Sequence, residues 1–206
     1  LATALHLDGK GGGVVAGMHN GAYPFVWPRD AVYAAMTLAR TGHFDESREV
    51  YRYLRDVAYR GNESWGKGFF YQKYTTDGYI VWSAPQVDET AAVPWGVWQH
   101  YLLTGDIAFL QQNYPMVYSA ARASSEDSAL DSRLFYDDAN KLMHSMNVWE
   151  DSFDDFLYSN AGVWRALEDA GNIATALGYG SDASLFMQRR ADIYDGIRGR
   201  LAWNGE

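Results

Sequence analysis

A helical hairpin that recurs three times is the feature that most constrains the fold of this chain. Apolar residues recur at helical spacing in six segments, which we predict as helices at 30–41, 45–60, 88–104, 106–123, 158–178 and 182–202. The first helix of each pair ends near a glycine (Gly42, Gly105 or Gly178), a residue that readily adopts the left-handed conformation that ends helices. An Asp or Ser a few residues later can cap the second helix. The repeat, roughly sixty to seventy residues long, predicts an array or a toroid.

The two helices of each pair differ in composition. The first members are rich in Ala and Gly, as expected of helices packed on both sides, whereas the second members carry charges along one face. We therefore predict one all-α domain over residues 1–206, with an inner and an outer layer of helices. Long connections at 61–87 and 124–157 join the hairpins, and only "GYIVWS" at 78–83 alternates in the manner of a strand.

Composition excludes several classes of function. The net charge of -9 and the scattered Lys and Arg argue against binding of nucleic acid, and no apolar run is long enough to cross a membrane. The chain has no Cys, and its five His show no metal-binding spacing, so we expect neither a metal nor another cofactor. The cellular compartment stays open. Because the first residue is not Met, we expect a processed product or a fragment.

Aromatic residues make up 16% of the chain, including eight Trp and fifteen Tyr. Aromatic rings with polar edges suit the mixed apolar and hydroxyl surface of a pyranose ring. The alternative, which composition alone leaves open, is that a large helical protein buries many aromatic residues in its core.

Aromatic and charged residues occur together before each of the three inner helices. They are "YPFVWPRD" at 23–30, then Trp82 followed by Asp88 and Glu89, then "WED" at 149–151. If the inner helices form a ring, these three loop ends lie close together at one end of that ring.

Each of these residues also has a purely structural interpretation. The carboxylates can serve as helix caps and partners of the helix dipole, namely Asp30, Asp88, Asp154 and Asp155. Arg29 can form a structural ion pair, and the tryptophans can belong to the core. The coincidence of an aromatic residue and a charge at three equivalent positions favours a shared site.

Three segments together resemble glycoside hydrolase family 15, the glucoamylase and glucodextranase group, in its bacterial and archaeal branch. They are "YPFVWPRD", "SAPQVDETAAVPWGVWQHYLLTGD" and "NVWEDS" followed by "YSNAGVW". The resemblance implies an (α/α)6 toroid of six inner and six outer helices. Three hairpins are half of that toroid, so we expect this chain to be the N-terminal portion of a larger catalytic domain.

The resemblance also implies roles for individual residues. Glu150 matches the general acid, Arg29 and Asp30 match the pair that binds sugar hydroxyls, and Tyr23 matches the hydroxyl beside the anomeric centre. Trp82 resembles a tryptophan that packs against substrate and acid. The remaining substrate-binding positions that the resemblance implies are Trp27, Trp149 and Asp151.

Two positions depart from the pattern of the family. The residue after the acid is commonly Glu and is Asp151 here, and the residue three positions before the acid is commonly Asp and is Asn147 here. Asn147 keeps the capacity for hydrogen bonds but lacks a negative charge. We expect Trp82 and Trp149 to flank Glu150 and to shield it partly from water, which favours the proton-carrying form of a carboxyl group.

The implied activity is that of an inverting, exo-acting α-glucoside hydrolase that acts on α-linked glucose oligosaccharides or polysaccharides. Inversion needs a second carboxylate about 6.5 to 9.5 Å from the acid, to activate water. The sequence has no motif for this base, which we expect beyond Glu206, because the positions of Asp154 and Asp155 suit helix capping better.

Three alternatives remain open. They are a non-catalytic carbohydrate-binding or regulatory toroid, a trehalase or glycoside phosphorylase on the same fold, and a helical scaffold for protein partners. We also expect self-association through the exposed seam of a half-barrel, along the apolar flanks of inner helices such as 88–104 and 158–178.

Overall fold

Helices form most of the computed structural model, which describes residues 11–17, 21, 23–59, 68–83, 86–125 and 132–201. Within these residues the α-helices are α1 (Pro28–Arg40), α2 (Phe44–Tyr59), α3 (Val87–Thr104), α4 (Ile107–Ala123), α5 (Leu157–Ala176) and α6 (Gly180–Gly196). A π-helical turn, Ile197–Leu201, continues α6. The six predicted helices are confirmed, with ends shifted by a few residues. The ends predicted at 60 and 202 lie outside the described residues.

The turn of each hairpin contains the predicted glycine in a left-handed conformation. Gly42, Gly105 and Gly178 have φ values of +86°, +66° and +81°. The predicted side-chain cap is present at α4, where the Asp106 carboxylate accepts a hydrogen bond of 3.0 Å from the Phe109 N–H. The residue preceding α6, Tyr179, makes no side-chain cap bond. The glycine is thus the common element of the three turns.

The inner helices lie side by side, with α3 between α1 and α5 and in contact with both. Small residues make this packing close. A Cβ atom on Gly96 of α3 would lie 2.4 Å from Cγ1 of Val32 on α1 and 2.7 Å from the Tyr51 hydroxyl oxygen on α2. Glycine therefore lets α3 approach the first hairpin closely, as the Ala- and Gly-rich pattern predicts.

The long connections contain short antiparallel strands that the expectation of loops did not include. β1 (Lys73–Tyr74) pairs with β2 (Ile80–Trp82), and β3 (Phe135–Asp137), β4 (Leu142–Met146) and β5 (Phe153–Asp154) form a second sheet in that order. The strand predicted within 78–83 is confirmed as β2. The other strands are two to five residues long, which is too short for their alternation to be read from sequence.

The central position of α3 corrects the predicted seam in part, because the seam was expected along both 88–104 and 158–178. Since α1 and α5 cover both flanks of α3, the outer members of the inner layer are α1 and α5, of which α5 was predicted. Tyr33 of α1 and Tyr158 of α5 are 50% and 51% exposed. Together with Arg29 and Asp88 they line a cleft of about 230 Å³ between the inner helices. No helix of the described residues is long and apolar enough to cross a membrane.

We predict that this chain self-associates through the cleft-facing tyrosines, because an exposed aromatic surface on an inner layer gains free energy when it is covered. Sedimentation velocity over a concentration series should show a rising weight-average mass. Replacement of Tyr33 and Tyr158 by Ser should abolish the rise, whereas Tyr194→Ser, a control at an exposed position on α6, should not. A concentration-independent monomer would contradict this prediction.

We also predict that the stability of the fold decreases as the pH falls through the range of His100. This side chain is fully buried, and its Nδ1 atom lies 2.9 Å from the Ser47 hydroxyl oxygen. Burial, with a smaller contribution from Arg48, lowers the pKa of His100 from 6.5 to about 4. The unfolded chain therefore binds a proton below pH 6.5 that the folded chain does not bind until about pH 4, so acid favours unfolding.

Urea unfolding between pH 7 and pH 4 measures this effect. We expect His100 to account for a loss of up to about 3 kcal/mol in the free energy of unfolding over this range. His100→Asn should remove that component of the pH dependence. His43→Asn, at an exposed histidine, serves as the control and should leave it in place. Identical pH profiles for the wild type and His100→Asn would refute the assignment.

Candidate active site

Glu150 lies at the tip of the hairpin that joins β4 to β5. The Asn147 N–H donates to the Ser152 carbonyl at 2.9 Å, and the Glu150 N–H donates to the Asn147 carbonyl at 3.1 Å, which closes a tight turn. Glu150 has a φ of +66°, a left-handed conformation that residues other than glycine rarely adopt. The turn therefore fixes the backbone of Glu150 in an unusual conformation.

Trp27 contacts the Glu150 side chain from the start of α1. Its indole N–H donates to Glu150 Oε1 at 3.3 Å, across 123 positions of sequence. The ring of Trp27 is 5% exposed, and the preceding residue, Val26, forms a bridge with Tyr74 of β1. A buried, well-supported donor thus faces the carboxyl group that the sequence analysis singled out.

Lys73 lies between two of the predicted tryptophans. Its ammonium nitrogen is 4.7 Å from the ring centroid of Trp27 and 4.6 Å from that of Trp82, distances at which a cation is attracted to the ring face. Trp82 is opposite Lys73 in the β1–β2 pairing and is 44% exposed. Sequence analysis missed Lys73, since its place between the rings depends on a strand register that the local pattern does not reveal.

Arg29 is held by the first turn of α3. Its guanidinium lies 2.5 Å from Asp88 Oδ2 and 2.9 Å from Glu89 Oε1, and its backbone N–H donates to Glu89 Oε2 at 2.7 Å. Asp30 is farther from the guanidinium, at 3.5 Å, and its side chain is 45% exposed. The strong partners of Arg29 are therefore the two α3 carboxylates rather than its neighbour in sequence.

This arrangement corrects the interpretation of Asp88 as a helix cap. The residue before α3 is Gln86, which makes no side-chain cap bond, and Asp88 is only 4% exposed. The physical reason is the burial of Arg29, since a cation removed from water needs a charged partner. At the buried start of α3 the Val87 N–H is bonded to the Ser145 hydroxyl instead, at 3.0 Å.

Burial and charge act in opposite directions on these groups. Burial raises the pKa of Asp88 and raises that of Glu89 well above its usual range, although the nearby Arg29 works against both shifts. For Arg29, burial favours the neutral form, but Glu89 and Asp88 outweigh it and the pKa is raised. The guanidinium therefore stays charged, and its charge limits the rise in the pKa of the two buried carboxyl groups.

The other predicted site residues differ in how far they approach Glu150. The ring of Tyr23 lies 6.0 Å from that of Trp27, between centroids, and is 52% exposed. Trp149 is 82% exposed, so the tryptophan that contacts the acid is Trp27 and not Trp149. Asp151 is exposed and accepts a hydrogen bond of 2.7 Å from the Asn147 side chain.

Asp154 and Asp155 are not helix caps, contrary to expectation. Phe156 precedes α5 and makes no side-chain cap bond, and Asp154 lies on β5 with Oδ1 bonded to the Asp155 N–H at 2.8 Å. Asp155 is buried, with Oδ1 3.2 Å from His144 Nδ1 and Oδ2 3.6 Å from Arg200. Potential ligand atoms of His144, Asp154 and Asp155 lie within 4.8 Å of one another, but the cationic Arg200 already occupies one side of this cluster.

We predict that Arg29→Met destabilises the protein by about 3–5 kcal/mol, because it leaves Asp88 and Glu89 buried without their cation. Asp30→Asn, the matched control, should cost less than about 1 kcal/mol, since Asp30 is half exposed. The loss in Arg29→Met should be larger at pH 7 than at pH 5. Burial already raises the pKa values of both carboxyl groups in the folded wild type, and loss of the cation raises them further, so lower pH favours folding of the variant more than that of the wild type. Urea unfolding of both variants measures these differences, and equal losses would contradict the assignment.

Comparison with known proteins places this chain in a family. The family model described as glycosyl hydrolases family 15 matches residues 2–205. An uncharacterized glycosyl hydrolase of Methanocaldococcus jannaschii is 26% identical over 179 residues, which are 86% of this chain and 26% of that protein. The crystal structure of a bacterial glucoamylase complexed with acarbose superposes with a TM-score of 0.65 at 16% identity, covering 93% of this chain and 27% of that one. The chain thus spans about a quarter of the length of either relative and shares the helical fold of the second. It belongs to glycoside hydrolase family 15.

Proposed function

We propose that this chain supplies the general acid and the terminal-sugar subsite of an inverting, exo-acting α-glucoside hydrolase of the glucoamylase type. The observation that carries the proposal is the placement of Glu150 against the Trp27 indole N–H, two residues from Arg29 and its α3 carboxylates. The substrate would be an α-linked glucose oligosaccharide or polysaccharide. The similar fold of a glucoamylase whose crystal structure contains acarbose supports this class of ligand.

Glu150 would transfer its proton to the glycosidic oxygen as the bond from that oxygen to the anomeric carbon breaks. Water would attack the opposite face of the sugar, and the product would have the β configuration. The Trp27 N–H contacts Oε1, which leaves Oε2 as the oxygen from which the proton can be delivered. A fixed donor on one oxygen thus orients the other toward the substrate.

Arg29 and Asp30 would bind the hydroxyl groups of the terminal sugar. Arg29 is 15% exposed and locked by Asp88, whereas Asp30 is 45% exposed and weakly paired, so its carboxylate has capacity to accept further hydrogen bonds. Trp82 and Tyr23, both about half exposed, would pack against the substrate.

The water-activating carboxylate would come from another part of the family 15 domain. Asp155 is buried and paired with His144 and Arg200, and Asp154 lies on the same hairpin as Glu150 rather than opposite it. We therefore predict little or no hydrolysis by these 206 residues alone. The measurement is release of β-glucose from maltooligosaccharides, and robust turnover would show that a second catalytic carboxylate lies within this chain.

The role of Glu150 is tested in a polypeptide that also contains the rest of the family 15 domain. Glu150→Gln should still bind substrate but lower kcat by about 10² to 10⁴, because the transferable proton is lost. The loss should be smaller with glucosyl fluoride, whose leaving group needs less protonation. Removal of Arg29 should impair all substrates alike.

Asp154→Asn, an exposed carboxylate on the same hairpin, is the matched control and should retain activity. Full activity of Glu150→Gln would overturn the proposal. Binding of maltose without turnover by the unaltered polypeptide that contains the rest of the domain would favour a non-catalytic sugar-binding toroid. A panel with trehalose, and with phosphate as acceptor, would reveal a trehalase or a glycoside phosphorylase.

A further inference from the structure

We propose that Lys73 is a positioning residue for Trp82, because its ammonium group joins the exposed ring of Trp82 to the buried ring of Trp27 and so fixes one wall of the proposed sugar site. The meaning for substrate binding rests on the proposed function, in which Trp82 packs against the sugar. The position of the ring itself does not depend on that function.

Lys73 is anchored on the buried side of the β1–β2 hairpin. The next residue, Tyr74, is 1% exposed and exchanges two backbone hydrogen bonds with Val26, of 2.8 Å and 2.9 Å. Trp27 follows Val26 directly, is buried, and donates its indole N–H to Glu150. Lys73 and Trp27 therefore flank the same backbone bridge, which fixes the attachment point of the cation relative to the first ring.

Trp82 lies on the exposed side of the hairpin, since all three residues of β2 are exposed. Tyr74 of β1 pairs with Ile80 of β2. Lys73 pairs with Trp82 and not with Val81, so β2 carries one extra residue at this point. A bulge of this kind redirects the side chains that follow it. Here it brings Trp82 to the side of the sheet that carries Lys73.

The contact with Lys73 is the interaction that holds the ring of Trp82. Within the part of the chain that the structure describes, the Trp82 side chain has no hydrogen bond and no contact with another ring. The Lys73 ammonium has no carboxylate partner and no hydrogen bond among the same residues, and it lies within 4.7 Å of both ring centroids. A cation between two ring faces attracts both. Lys73 thus occupies one face of Trp82 and leaves the other face for a sugar.

This arrangement requires a positive charge at position 73. Lys73→Met retains a flexible, unbranched side chain but loses the attraction to the rings, whereas Lys73→Arg retains a cation that packs on ring faces. Lys141→Met is the matched control. It removes the charge of a half-exposed lysine that lies 3.8 Å from Asp192 and 3.7 Å from Asp195, remote in sequence from the hairpin.

The mobility of the Trp82 indole measures the role of Lys73 directly. In ¹⁵N–¹H spectra of this chain, the indole resonances of Trp82 and Trp27 are identified by their loss in Trp82→Phe and Trp27→Phe. The ¹⁵N–¹H nuclear Overhauser effect reports motion on the ps–ns timescale. We expect its value for Trp82 to fall in Lys73→Met and to be retained in Lys73→Arg and Lys141→Met. The value for Trp27 should not change, because that ring is buried.

An unchanged Trp82 value in Lys73→Met would overturn the proposal, and so would a Lys73→Arg variant that behaves like Lys73→Met. A fall in the values of both rings would show that Lys73 supports the whole hairpin, which would also overturn it. If Lys73→Met does not fold, the wild-type chain provides a second measurement. The ε-methylene protons of Lys73 lie near two ring faces and should resonate upfield of those of Lys141. Trp82→Leu should move them part of the way back, and an unchanged shift would count against the proposal.

The effect on substrate binding is measured in the polypeptide that contains the rest of the domain. Lys73→Met should raise KM about threefold to tenfold with little change in kcat, as expected for the loss of a partly buried contact between a cation and a ring. Lys73→Arg should stay within about twofold of the wild type. In a Trp82→Leu background, Lys73→Met should have no further effect, because the side chain that it positions is absent. Additive effects, or a lower kcat at unchanged KM, would refute the positioning role.

The outcomes separate this proposal from the proposed function. If Glu150→Gln retains full activity while the Trp82 values follow the expected pattern, the proposed function is wrong and the positioning of the ring stands. If Glu150→Gln is inactive but Lys73→Met changes neither KM nor the mobility of Trp82, the positioning role is wrong and the function stands.

Discussion

The structure of this site depends on the burial of one guanidinium. Arg29 is 15% exposed at the start of α1, and a cation in that position must be paired because unpaired burial of charge is prohibitively costly. The first turn of α3 supplies both partners, Asp88 and Glu89, together with an acceptor for the Arg29 backbone N–H. This requirement fixes α1 against α3 at the end where the loops converge. Burial of any one of these charged groups without its partners would destabilise the fold. The pairing therefore sets the alignment of α1 with α3 and is not a large net source of stability.

From this pairing a closed path of contacts runs through three segments that are distant in sequence. Trp27 lies two residues before Arg29 and donates to Glu150, and the turn that carries Glu150 is bonded through Asn147 to Gln86, next to the α3 carboxylates. The Val87 N–H adds a second link, a hydrogen bond of 3.0 Å to the Ser145 hydroxyl of β4. A displacement of any one segment would strain the other two. Such mutual support would give a site built partly from loops the precision that the proposed proton transfer needs.

The sequence predicted the helices and the convergence of the three loop ends because both follow from local signals, namely helical periodicity and the glycines at Gly42, Gly105 and Gly178. It did not predict which charged and aromatic side chains contact one another. Asp88 has the position of a helix cap but serves the buried Arg29, and Asp155 serves His144 and Arg200. Lys73 lies between Trp27 and Trp82 because of a strand pairing. Trp149, which precedes Glu150 in sequence, is largely exposed. Contacts that depend on burial and tertiary packing produce no periodic pattern in the sequence.

This chain spans about a quarter of the length of its relatives, yet it brings together Glu150 and the Arg29 pair of the proposed site. The central position of α3 explains this. Both elements of the proposed chemistry are attached to the first turn of this helix, Arg29 through Asp88 and Glu89 and the turn of Glu150 through Gln86. Because α1 and α5 cover its flanks, that turn is supported from within these residues. A water-activating carboxylate has the opposite requirement, since it must face the acid across the width of a sugar ring, about 6.5 to 9.5 Å away. Under the proposed function, the pairing of Asp155 with His144 and Arg200 and the place of Asp154 on the hairpin of Glu150 favour a base from another part of the family 15 domain.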